Sequence, residues 1–151
     1  MSDSRVRVGY AGGVFDLFHI GHLNVLRTSK AHCDFLVAGV LTDEMARRAK
    51  GLDPFVPGEE RLAIVSSIVH VDKAVAEDVP DKAEMYQRYG ITHVFKGDDW
   101  KNTPKGDRIE AICRDLGIEV VYLPYTVHTS STQLRRAIDV AIAPAAQPEA
   151  S

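Results

Sequence analysis

The sequence predicts an α/β fold, a Rossmann-like, doubly wound parallel sheet of five strands with helices on both faces. Three observations carry that expectation. Short apolar runs alternate with amphipathic segments from residue 6 to residue 141. The runs are rich in β-branched and aromatic residues and apolar at consecutive positions, the pattern of strands buried on both sides. Turn residues bound most of them, as strand–helix–strand units require.

Val6 to Ala11 (VRVGYA) reads as the first strand, and a glycine-rich turn leads from it into a helix over Gly21 to Ala31. Asp34 to Leu41 (DFLVAGVL) is the second strand, followed by a basic run and the loop GLDPFVPGEER. A helix over Glu59 to Val69 sets Leu62, Ile64, Val65, Ile68 and Val69 at helical spacing beside Glu59, Glu60 and Arg61. Lys73 to Glu77 is the third strand, Pro80 to Tyr89 a helix, and Thr92 to Lys96 the fourth strand. Asp107 to Leu116 repeats the helical theme with Ile109, Ile112, Cys113 and Leu116, and stops at Gly117. Glu119 to Pro124 is the fifth strand and Thr132 to Ala141 the last helix. The expected organisation is one domain over 1–141 and a disordered, Ala- and Pro-rich tail over 142–151.

A chain of 151 residues, 45% hydrophobic and 26% charged, suits one globular domain with a real core. Its formal charge of -3 argues against a nucleic-acid or membrane partner. Cys33 and Cys113 have no metal-type spacing and read as small buried hydrophobes in a reducing compartment. No apolar stretch has the length of a signal peptide or a membrane span, so cytoplasm is the expected location.

Parallel sheets of this kind bind ligands at the carboxyl ends of their strands, and each end here carries chemistry. After the first strand, Gly12 and Gly13 with the backbone of Val14 and Phe15 let N–H groups approach a ligand, and Asp16 follows. His19 and His22 then fall on one side of the first helical turn, with Gly21 between them keeping the approach open. Neither G-x-G-x-x-G nor G-x-x-x-x-G-K-[ST] is present. The pair fits zinc, a core position or an anion. Zinc lacks the remaining ligands, and the core reading holds for either residue alone. Two histidines together at a helix N-terminus favour an anion-contacting pair.

After the second strand, Arg47 and Arg48 read as a solvated helix face, whereas Lys50 beside Gly51 is placed to reach phosphates. Arg61 opens its helix as a cation against the macrodipole, which a nearby anion explains. Gly97-Asp98-Asp99-Trp100 follows the fourth strand, its acids suited to Mg²⁺, capping, a ribose or an exocyclic amine, with Trp100 expected to line the acceptor pocket. After the fifth strand comes Tyr125-Thr126-Val127-His128-Thr129-Ser130-Ser131-Thr132. One of these hydroxyls is a helix cap, and the run forms a second phosphate cradle.

GGVFDLFHIGH, the EER opening the middle helix, KGDDW, and HTSST before the last helix together resemble the small cytidylyltransferases of the H-x-G-H nucleotidylyltransferase superfamily. The likeness is nearest to the bacterial glycerol-3-phosphate cytidylyltransferases and runs from about Val6 to Ile138. It implies attack by the phosphate oxygen of an alcohol phosphate on the α-phosphorus of CTP, with Mg²⁺ on the triphosphate and pyrophosphate leaving. By this resemblance His19 and His22 donate to the phosphates, and Lys50 contacts the triphosphate or the acceptor phosphate. Arg61 holds the acceptor phosphate, Asp16 fixes the acceptor pocket or the loop, and Asp99 recognises the cytidine. Ser130, Ser131 and Thr132 cradle the β- and γ-phosphates. The resemblance also implies a homodimer.

The chain departs from the family pattern in two places. Val14 stands where the family has Thr, removing one hydroxyl. Tyr125 and His128 replace the arginine and glycine of R-T-x-G-I-S-T-T, leaving Tyr125 to stack on a base or ribose. Two alternatives follow: an adenylyltransferase acting on a sugar phosphate, FMN or phosphopantetheine, and a nucleotide sensor without turnover. GDDW argues against the first, and the retained histidines and Arg61 against the second.

Overall fold

The computed structural model describes residues 5–124 and 129–144. Five strands form one parallel sheet: β1 (Val8–Gly13), β2 (Phe35–Leu41), β3 (Lys73–Glu77), β4 (His93–Gly97) and β5 (Glu119–Leu123), in the spatial order β3-β2-β1-β4-β5. The strand order reverses at β1, so the switch point lies between β1 and β4. Six α-helices flank the sheet among the described residues: α1 (Ile20–Ala31), α2 (Asp43–Lys50), α3 (Gly58–Ser66), α4 (Lys82–Arg88), α5 (Pro104–Leu116) and α6 (Ser131–Ile142). A 3₁₀ turn, Asp98–Trp100, follows β4.

Alternation along the strands sends apolar side chains to both faces. Ala11, Leu36, Ala38, Val40, Phe95 and Leu123 pack with Leu26 of α1 and Val65 of α3. Tyr10, Val37, Val75 and Val94 pack on the other face with Met85 and Tyr86 of α4 and Ile109 and Cys113 of α5. Both cysteines are free and buried, and burial raises both thiols above their ordinary range, Cys113 to about 11. They are packing residues.

Local chemistry sets the helix ends. Thr103 caps α5, Pro104 occupies its first turn, and Gly117 takes the left-handed conformation at its end. The additional helix, α2, lies in the basic run after β2. Thr42 caps it and Gly51 closes it. With eight residues it buries only Met45 and Ala46, against Leu41 and Val14, too few positions to display a helical period. α3 stops at Ser66, and Val69, expected inside it, is 89% exposed. β1 extends to Gly13 because Gly12 and Gly13 pair with Gly39 and Val40. No helix among the described residues is long and apolar enough to cross a membrane.

Candidate active site

The ends of β1 and β5 bring two helix N-termini to one point. His19 is the N-cap of α1, and its Nδ1 accepts from the backbone N–H of Gly21 at 3.0 Å. His22 Nδ1 accepts from the backbone N–H of His19 at 3.3 Å. A backbone N–H only donates, so each Nδ1 presents a lone pair and each ring carries its proton on Nε2. Those two Nε2 atoms face one oxygen: Ser131 Oγ, the first residue of α6, lies 3.2 Å from His19 Nε2 and 3.5 Å from His22 Nε2. Ser131 itself donates to the carbonyl of Asp16 at 2.6 Å. The imidazoles stack with centroids 3.9 Å apart, and Phe15 and Phe18 hold the His22 ring at 5.4 and 5.3 Å. Two N–H donors and two helix dipoles thus converge on a spot where an oxygen already sits, the arrangement that favours a phosphate oxygen.

The loop before this point is strained and pinned. Phe15 (φ 55) and Leu17 (φ 53) occupy the left-handed region, which costs a side-chain-bearing residue about 1–2 kcal/mol each. Between them Asp16, only 5% exposed, accepts from the backbone N–H groups of Leu17, Phe55 and Val56 at 3.1, 2.8 and 2.9 Å. Arg135 of α6 adds an ion pair at 3.2 Å, donates to the carbonyl of Asp53, and lies 4.3 Å over the Phe55 ring. One carboxylate therefore ties the β1 loop, the 51–57 loop and α6 together.

Arg61 is turned inward. Its guanidinium donates to the carbonyls of Val56, Val14 and Leu41 at 2.7–2.8 Å and to Asp43 at 2.6 Å, with no exposed side-chain surface. The hydrogen bond from Arg61 holds the Asp43 carboxyl below the usual range. The fork expected to hold the acceptor phosphate here stitches the loops after β1 and β2 to α3. The carbonyls of buried loops need donors, and an arginine supplies several from one side chain.

A family model described as cytidylyltransferase-like matches residues 10–137, most of the chain. The chain belongs to the cytidylyltransferase-like family. Its relatives include the glycerol-3-phosphate cytidylyltransferase of Bacillus spizizenii, 34% identical over 82% of this chain and 91% of that protein. The probable ethanolamine-phosphate cytidylyltransferase of Encephalitozoon cuniculi is 36% identical over 78% of this chain but only 37% of that protein, so the chain spans about a third of that longer relative. Among solved structures, the lipopolysaccharide core biosynthesis protein from Thermoplasma volcanium superposes with a TM-score of 0.69 at 28% identity, covering 83% of this chain and 100% of that one.

Other site residues of this family member are placed as follows. Ser130 caps α6: its Oγ accepts from the Gln133 N–H at 3.1 Å and Gln133 reaches back to the Ser130 N–H. Thr132 is exposed beside it. Gly21 is buried in the first turn of α1, and Gly13 and Val14 form the end of β1 and the start of its loop. Lys50 is exposed at the last position of α2, at the end away from the Thr42 cap. Asp99 is exposed on the 3₁₀ turn, folded back over Gly97. Trp100 packs on the second core, with the ammonium groups of Lys96 and Lys105 at 4.3 and 5.6 Å from its ring. Tyr125, Thr126 and His128 lie outside the described residues. Sequence reasoning missed Arg135, although its spacing of four from Ser131 puts both on one helix face. It also missed Lys96, a lone lysine in an apolar strand.

Proposed function

We propose that the protein is a CTP-dependent cytidylyltransferase that transfers CMP to a small alcohol phosphate, glycerol 3-phosphate first among candidates, giving a CDP-alcohol and pyrophosphate. The observation that carries this reading is the convergence of the His19 and His22 Nε2–H donors at the meeting point of α1 and α6. The glycerol-phosphate relative, matched over nearly its whole length, supports the acceptor.

In this reading the triphosphate takes the position of the Ser131 hydroxyl between the two imidazoles. A phosphate oxygen of the acceptor attacks the α-phosphorus in line, forming one P–O bond as the bond to pyrophosphate breaks. A phosphate monoester with its second pKa near about 6 is already largely dianionic at neutral pH, so the chain supplies no general base. Its work is positioning and charge stabilisation. Neutral imidazoles donate to the oxygens that gain charge, and the N-termini of α1 and α6 add their dipoles. The backbone of Gly13, Val14 and Phe15 lines the approach, and Asp16 with Arg135 holds that loop in its strained form. Asp99 serves the cytosine side, and Ser131 and Thr132 the outer phosphates. Among the described residues no group of three or more His, Cys, Asp or Glu side chains is placed to hold a metal ion. Mg²⁺ supplied with the nucleotide would offset the charge of the triphosphate.

The test is pyrophosphate release with Mg²⁺, comparing CTP with ATP over a panel of small phosphate monoesters. CTP-dependent release with a polyol phosphate is the expected result. Release with ATP alone, or none from protein that binds nucleotide, overturns it.

A further inference from the structure

A second polar cluster lies on the sheet face opposite α1, beneath the same carboxyl edge. Tyr10 donates its hydroxyl to Glu77 Oε1 at 2.5 Å, and Lys82 of α4 donates to the other Glu77 oxygen. Glu77 is fully buried. Burial, and then the Glu77 charge, push the Tyr10 hydroxyl far up, so it remains a donor. Gly12 makes room for the pair, since a Cβ there would meet Tyr10 Cε1 at 2.9 Å and Glu77 Oε1 at 3.3 Å. The cluster therefore touches β1 one residue before the loop that leads to His19.

Lys96 lies beside it, on the penultimate residue of β4. It is partly buried, its ammonium rests 4.3 Å over the Trp100 ring, and among the described residues it forms no ion pair. Burial, and then the charge of Lys82, push its ammonium down to about 8. β1 and β4 pair only at Gly9↔His93 and Tyr10↔Val94, yet run on to Gly13 and Gly97. Their unpaired ends frame the crevice of the switch point, where a parallel sheet takes its ligand.

We propose that Lys96, acting with Lys82, selects the chemical class of the acceptor: the phosphate monoester of a neutral, hydroxyl-bearing alcohol, not of an ammonium-bearing one. This rests on the cytidylyl-transfer reading above. Three ammonium groups, of Lys82, Lys96 and Lys105, against two carboxylates, of Glu77 and Asp99, leave the cluster with a net positive charge. Glu77 has no surface to offer, and both its oxygens are engaged. With Glu77 engaged and Asp99 committed to the cytosine, an amino-alcohol phosphate would bring a fourth ammonium toward three lysines, a repulsion that discriminates without any steric block. A polyol phosphate instead gives Lys96 the anion it lacks, with hydroxyls for the neighbouring polar groups.

The experiment uses Lys96→Met, which keeps length and loses charge, and Lys96→Arg, which keeps charge. Trp100 is the sole tryptophan, so its fluorescence reads binding of glycerol 3-phosphate or ethanolamine phosphate without nucleotide, alongside steady-state turnover with CTP. In the wild type, glycerol 3-phosphate perturbs Trp100 and is preferred. Lys96→Met raises its KM about tenfold, the scale of one lost charge-assisted contact, moves the CTP KM less than twofold, and narrows the preference. Lys96→Arg retains both. The groups facing Lys96 are Glu77 of β3, Lys82 of α4, Asp99 of the 3₁₀ turn, and Lys105 and Cys113 of α5. As pH rises through about 8 the free protein loses the Lys96 charge and polyol-phosphate affinity falls; Lys96→Arg abolishes that fall. Equal KM and equal preference in Lys96→Met, or tighter ethanolamine phosphate in the wild type, overturns the proposal. Lys96-dependent fluorescence binding without CTP turnover upholds this subsite and sinks the transfer reading instead.

Discussion

Replacing Asp16 with alanine perturbs the scaffold of the site at its most connected atom pair. The carboxylate accepts from three backbone N–H groups and from Arg135, with a side chain only 7% exposed. A hydrogen bond to a charged partner contributes about 1.5–3 kcal/mol, and four would overcount because the 51–57 loop can turn its freed donors to water. Breaking one buried ion pair costs about 3–5 kcal/mol, and the whole change should fall in that range. Phe15 and Leu17 would also lose what keeps them in the left-handed region. For a domain of this size a loss of about 3–5 kcal/mol lowers Tm by roughly 6–20 °C. Urea unfolding followed by circular dichroism measures it. A midpoint change worth under about 1 kcal/mol would refute the view that Asp16 holds these loops.

Three further outcomes follow from other contacts. Arg61→Lys cannot reproduce the fork to Val56, Val14, Leu41 and Asp43, so it should lose about 2–4 kcal/mol in chemical unfolding; unchanged stability with a raised acceptor KM would return Arg61 to phosphate binding. Asp43 has a folded-state pKa below its unfolded one, held there by Arg61. Its contribution is therefore present above the unfolded pKa and lost as pH falls through the folded one, and Asp43→Asn should flatten that acid limb of a stability–pH curve. Nitrogen-15 NMR of the ligand-free protein at pH 8 should find His19 and His22 both as Nε2–H tautomers; an Nδ1–H signal from either would break the clamp geometry.

Much of the fold was legible because its signals are local. Each strand is a short apolar run, and each is legible to within one residue at either end except β1, which is displaced by two because its glycine end pairs with β2 through backbone alone. α2 was not legible as an element, since a two-residue buried face has no period. The histidine pair was readable from spacing, but not the tautomers, which depend on backbone donors fixed by the fold. The loop contacts of Arg61 were not legible for a physical reason: a cation at a helix start suggests an anion, and its carbonyl partners belong to three segments that only the fold brings together. Lys96 and Glu77 were invisible because each belongs to a different strand end, and only the sheet order puts them in one cluster.

The central claim is that His19 and His22 stabilise charge on the transferring phosphoryl group. The most direct measurement is kcat for His19→Ala and His22→Ala with CTP, Mg²⁺ and glycerol 3-phosphate, on protein shown by circular dichroism to be folded. Removing one such donor typically costs about 10²–10³ in rate, and each variant is predicted to fall by that much with circular dichroism unchanged. A folded variant retaining wild-type kcat would contradict the account.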